Sequence, residues 1–270
     1  MTSVTTDVLL ALFGLAGGIG ITAIGPGGVL PTIALFLLTP LGPAQVAGTA
    51  IVTHVATGVA GSGAYVRSGQ LRERHTRRVA GLLAGVAMVG TPVGVLLNSL
   101  VSARWFGVVL GVFAVVVAAL VVLRRPVEKR ERSMGLMPPE GRELSAGSMP
   151  GREPSAGLVL GIGAGVAVAA GLVGVGGPML TVPVLVVVGL PMLEALAAAQ
   201  VQSVVIATAG AVGYLANGAV DWRLAAVVGV PELAGVLIGW KIAHALPTKK
   251  LRIALVVALL AVAPYLVLRG

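Results

Sequence analysis

The residues able to do chemistry are few, and they lie inside apolar runs. His54 is the eleventh of the 23 residues in the run 44–66, which sets it near the middle of any membrane-crossing helix. Thr49, Thr53 and Thr57 recur beside it at a spacing of four, one stripe of a helix. A histidine at that depth can carry a charge that appears and disappears near neutral pH, and hydroxyls beside it can donate to an anion. The plainer reading is a neutral imidazole donating to a neighbouring helix carbonyl. Glu232, directly after Pro231, is ninth of 17 in the run 224–240 and is the sole carboxylate deep in a run. A bare carboxylate in hydrocarbon costs about 3 kcal/mol or more, so Glu232 is expected to be protonated, paired or facing water. Proton coupling is its functional reading, and a structural ion pair its rival.

A second set of candidates comes from glycine. Gly25-Pro26-Gly27-Gly28 precedes Val29-Leu30-Pro31, and Gly174-Val175-Gly176-Gly177-Pro178 precedes Met179 through Pro183. Such clusters interrupt a helix, and in a membrane the freed backbone is tolerated only where protein or a wet cavity satisfies it. A helix restarting after the break exposes N–H groups and the positive end of its dipole, and glycine lets an anion approach them. Gly25, Gly27, Gly28, Gly174, Gly176 and Gly177 are therefore candidate substrate ligands, with close helix packing as the alternative for any one of them.

The elements that must position these residues follow from composition. At 57% hydrophobic and 11% charged residues, with a mean hydropathy of +1.00, the chain exceeds what one soluble core can bury. Glycine numbers 39 and aromatics are 4%, which favours closely packed helices. The expected class is an all-α polytopic membrane protein. Its net charge of +9 lies in the gaps between apolar runs, where the positive-inside rule accounts for it and nucleic acid is not needed. Residues 1 to 7 lack Lys and Arg, so the first run is expected to be retained rather than cleaved as a signal.

The runs are 8–24, 29–38, 44–66, 79–98 and 103–123, then 157–173, 178–188, 193–215, 224–240 and 252–268. The two short runs would reach roughly 15 Å as helices, half of the hydrocarbon core. They read as half-helices, each joined across a glycine break to the run before it. Shifting the chain by 149 residues superposes the halves without a gap, and 13 of 50 positions from 25 to 74 are identical. Gly61/Gly210, Tyr65/Tyr214, Gly69/Gly218 and Arg74/Arg223 are among the matches. Ser203, flanked by Gln200 and Gln202, stands where the first half has His54. These three could donate to an oxyanion or hold helices together.

The division is a first membrane repeat at 1–123, a linker at 124–156 and a second repeat at 157–270. The linker duplicates Gly141-Arg142-Glu143 as Gly151-Arg152-Glu153, and its mixed charge predicts a disordered, solvated cytoplasmic segment. If each broken segment is a re-entrant hairpin, every half has three further crossings and the halves are inverted repeats. Of the 19 Lys and Arg, 16 then lie inside: five from Arg67 to Arg78, seven in the linker, four from Lys241 to Arg252. Parallel halves would place 14 inside, so the rule leans towards inversion.

The glycine break with a proline a few residues later, then a small-residue span ending in Tyr and a Gly-containing turn, occurs in both halves. In the second half the turn reads Tyr214-Leu215-Ala216-Asn217-Gly218-Ala219-Val220-Asp221-Trp222. The pattern resembles the TauE/SafE family of sulfite exporters. Where the family often has an Ala-Thr-Ser type sequence, this chain has Ala47-Gly48-Thr49-Ala50 and Ala199-Gln200-Val201-Gln202-Ser203. The resemblance implies transport of a small sulfur-containing or carboxylate anion across the cytoplasmic membrane. Gly25, Gly27, Gly28, Thr49, Thr53, His54, Gly174, Gly176, Gly177, Gln200, Gln202 and Ser203 are the expected substrate site, and Glu232 the expected proton carrier. The expected partners are a small anion, the lipid bilayer and a coupling proton. No cysteine, nucleophile and base pair, P-loop or metal-ligand cluster calls for an enzyme, a metal or a cofactor. A passive anion channel and, further off, an intramembrane enzyme built on His54 and Glu232 are the alternatives.

Overall fold

A computed structural model describes residues 3–123, 155–245 and positions 253, 256, 257 and 260. The linker, apart from its last two residues, and most of the run 252–268 fall outside the described residues. Ser3 caps α1 (Val4–Ala23) by accepting from the Thr6 backbone N–H. The chain then breaks, makes one 3₁₀ turn at Pro26–Gly28, and restarts as α2 (Val29–Leu38). Next come α3 (Pro43–Arg67), α4 (Arg74–Asn98) and α5 (Ala103–Leu123). The second half repeats the order: α6 (Ala156–Val173), a break, α7 (Pro178–Val187), α8 (Met192–Ala216) and α9 (Trp222–Ala245).

The duplication is visible in the bounds themselves. Adding 149 to the ends of α2 and α3 gives the ends of α7 and α8. Backbone conformation repeats as well. Gly25 and Gly174, at the two breaks, have φ of 107° and 76°, and Gly69 and Gly218, at the two turns, have 94° and 62°. These matched glycines occupy the left-handed region that other residues avoid.

Packing exchanges the halves. The α1 helix lies along α9, while its counterpart α6 lies along α4, the counterpart of α9. At the centre α3 packs on α8. Ile51 meets Gly210, Gly58 meets Val204, and Gly61 meets Gln200. One number rises as the other falls, so these equivalent helices run antiparallel. The first break is a hairpin: Gly20 faces Gly27, and Gly17 faces Pro31. The ten-residue α2 thus folds back along α1, covering about half a membrane.

Polarity is arranged inside out. Met88, Val89, Leu96, Leu100, Val212, Val230 and Leu237 are exposed, whereas His54, Gln200, Gln202 and Glu232 are buried. Water would not favour that surface, but lipid would. Among the described residues six helices, α1, α4, α5, α6, α8 and α9, are long and apolar enough to cross a membrane. At 25 residues α3 is as long as any of them but more polar. Its buried Thr53 and His54 meet α9 and the first break rather than lipid.

Candidate functional site

The two glycine breaks meet at one place, against α3 and α8. A methyl group added to Gly28 would lie 3.2 Å from His54 Nε2, and one added to Gly176 would lie 2.8 Å from Ser203 Oγ and 3.5 Å from His54 Cδ2. His54 therefore stands between the breaks of opposite halves, with its counterpart Ser203 beside it. The breaks also hold one another. Thr32 Oγ1 on α2 donates to the Gly174 carbonyl at 3.2 Å, and Gly25 packs on Val182 and the Pro178 carbonyl.

Glu232 comes to this place from α9. Its Oε1 lies 3.1 Å from His54 Nε2, with the two side chains 0% and 1% exposed. The pair is close without an aligned hydrogen bond, and His54 Nδ1 has no hydrogen-bond partner. On the other side, Thr53 Oγ1 lies 2.5 Å from Glu232 Oε2 and 2.8 Å from the Ala50 carbonyl. A hydroxyl has one proton and cannot donate to both. The Thr53 hydroxyl therefore stands between the Glu232 carboxyl and the α3 backbone and can serve only one of them at a time. Pro231, just before Glu232, lacks the N–H that would bond the Val227 carbonyl, so the α9 ladder is loosened beside the pair.

The remaining candidates are placed unevenly. Thr57 bonds back to the Thr53 carbonyl at 3.4 Å. Thr49 Oγ1 accepts from the Asp221 backbone N–H, at the loop between α8 and α9, five residues from His54 along α3. Gln202 accepts from Thr181 at 2.6 Å and donates to the Gly163 carbonyl at 3.3 Å, so it ties α8 to α6 and α7. Gly177 packs on the Ser203 N–H and the Gln202 amide, 3.2 and 3.3 Å from its added methyl. At Gly27 a methyl would come within 2.2 Å of the Gly17 carbonyl, and at Gly174 within 2.3 Å of Ala47. Both glycines serve close backbone approach. Gln200 lies under Gly61, 0% exposed, with neither end of its amide hydrogen bonded.

Sequence reasoning left the tyrosines without a role. Tyr65 Oη donates to the Thr22 carbonyl at 3.0 Å, and Tyr214 Oη to the Gly171 carbonyl at 2.7 Å. Donors and acceptors are each 149 residues apart. Both acceptors lie in the last turn of α1 or α6, where carbonyls have no intrahelical partner. Their identity across the repeat was the available signal.

The family model described as Sulfite exporter TauE/SafE matches residues 10–266. The chain belongs to this family. No curated protein and no solved structure gave a match. Membership in TauE/SafE makes the chain a multi-pass membrane transporter and gives the buried polar cluster a setting: it lies where the two glycine-broken segments of a TauE/SafE chain converge.

Proposed function

We propose that this TauE/SafE protein is a secondary transporter of a small oxyanion, sulfite or a related sulfur-containing or carboxylate anion, in the cytoplasmic membrane. The observation that carries this reading is the convergence of both glycine breaks on His54, with Glu232 3.1 Å away. The breaks bring Gly28 and Gly176 close to a histidine and a serine, in a place where anion oxygens could meet donors. His54 can take up charge when the anion arrives, so no permanent cation need be buried. Glu232, neutral when its proton sits towards Thr53, carries the coupling proton. The two roles are adjacent, so a change at one carboxyl oxygen is felt at the imidazole.

The antiparallel packing of α3 on α8, equivalent helices of the two halves, supports inverted repeats with the site at their crossing. The experiment is flux of labelled sulfite into liposomes holding the purified protein. Saturable uptake that an imposed pH gradient accelerates is the expected result. Flux that is proportional to concentration and indifferent to the gradient would make the protein a channel and sink the carrier reading.

A further inference from the structure

The repeat supplies an internal control for one residue. Gly61 and Gly210 are counterparts, and so are Ile51 and Gln200, each pair 149 residues apart. The fold uses them in the same contact twice. Gln200 fills the notch at Gly61, its Oε1 and Cδ 2.6 and 2.8 Å from where a methyl would stand, and Ile51 fills the notch at Gly210, its Cδ1 at 2.3 Å. Both side chains are 0% exposed. An aliphatic side chain therefore does the packing at this contact, and the Ile51 copy demonstrates it. Gln200 instead buries an amide whose Nε2 and Oε1 have no partner. Burying such groups unpaired disfavours the fold.

The two contacts flank the central cluster. On α8, Gln200 is three residues from Ser203, one turn along the same face, and on α3, Gly61 is seven residues, two turns, from His54. The Gln200 contact thus lies from His54 towards the end of α3 that carries Arg67 and leads to Arg72 and Arg74. The Ile51 contact lies towards the other end. The residue that fills the notch is an amide in one direction out of the cluster and, beside Thr91, an aliphatic side chain in the other.

We propose that Gln200 is a substrate-binding residue on the passage between the central site and the Arg67 end, and that it selects an oxyanion that keeps a hydroxyl. Its amide offers a donor and an acceptor side by side. Hydrogen sulfite presents the complement, a charged oxygen and an O–H, whereas a fully deprotonated anion such as sulfate presents acceptors alone. This inference rests on the transport reading above.

Exchange of labelled sulfite in liposomes tests it, with Gln200→Ile, the residue used by the twin contact, and Gln200→Met, which keeps the length. Both variants are expected to melt at or above the wild-type temperature. Half-maximal exchange should need about tenfold or more sulfite, the scale of one hydrogen bond to a charged group, and the preference for sulfite over sulfate should narrow. Unchanged half-saturation in a variant that melts normally overturns the proposal while leaving the transporter standing. Loss of the folded protein in both variants makes the amide structural and overturns it too. Absence of exchange by the wild type removes the transport reading itself, and this inference with it.

Discussion

At the scale of single residues, the decisive fact is that His54 and Glu232, from opposite halves, share one buried contact. Glu232→Gln keeps the shape and supplies an N–H towards Thr53, but it cannot release a proton. Exchange of labelled sulfite across equal pH should persist in this variant, while acceleration by a pH gradient should vanish. Gradient-driven uptake at the wild-type rate would reduce Glu232 to a structural partner of Thr53. That both residues face protein rather than a bare apolar surround was legible, because their places inside the apolar runs could be counted and both are buried in the structure. Their contact was not, since no periodicity says which faces of α3 and α9 meet. The glycines show the same limit: six in two clusters read alike in sequence. In the structure Gly28 and Gly176 border His54 and Ser203, whereas Gly27 sits 2.2 Å, by its added methyl, from the α1 backbone. Gly27→Val would therefore test the hairpin and not the anion.

At the scale of elements, the half-helices owe their position to few fixtures. The breaks end α1 and α6 early, and Tyr65 and Tyr214 satisfy carbonyls in their last turns. Removing either hydroxyl leaves a buried carbonyl short of a partner, at about 1–3 kcal/mol. Tyr65→Phe and Tyr214→Phe should lower the melting temperature in detergent by similar amounts, since the two bonds are counterparts. A shift in only one variant would mean that the halves are not equally held. The lengths of α2 and α7 could be read from the sequence because proline and glycine punctuate their starts. The pairing of α1 with α9 and of α6 with α4 could not, since small residues permit close approach without naming a partner.

For the whole molecule, the repeat makes a sharp test of sidedness. Ser68 and Asn217 are counterparts at the ends of α3 and α8, and the chain has no cysteine. Single cysteines at the two positions should react with a membrane-impermeant maleimide from opposite sides, Asn217→Cys from outside. Labelling of both from one side would establish parallel halves. The unequal notches also differ in what they cost: Ile51 fills its place at Gly210 with hydrocarbon, whereas Gln200 buries an amide without a partner at Gly61, a difference of about 1–3 kcal/mol. The same packing contact is thus held less firmly in one copy of the repeat than in the other.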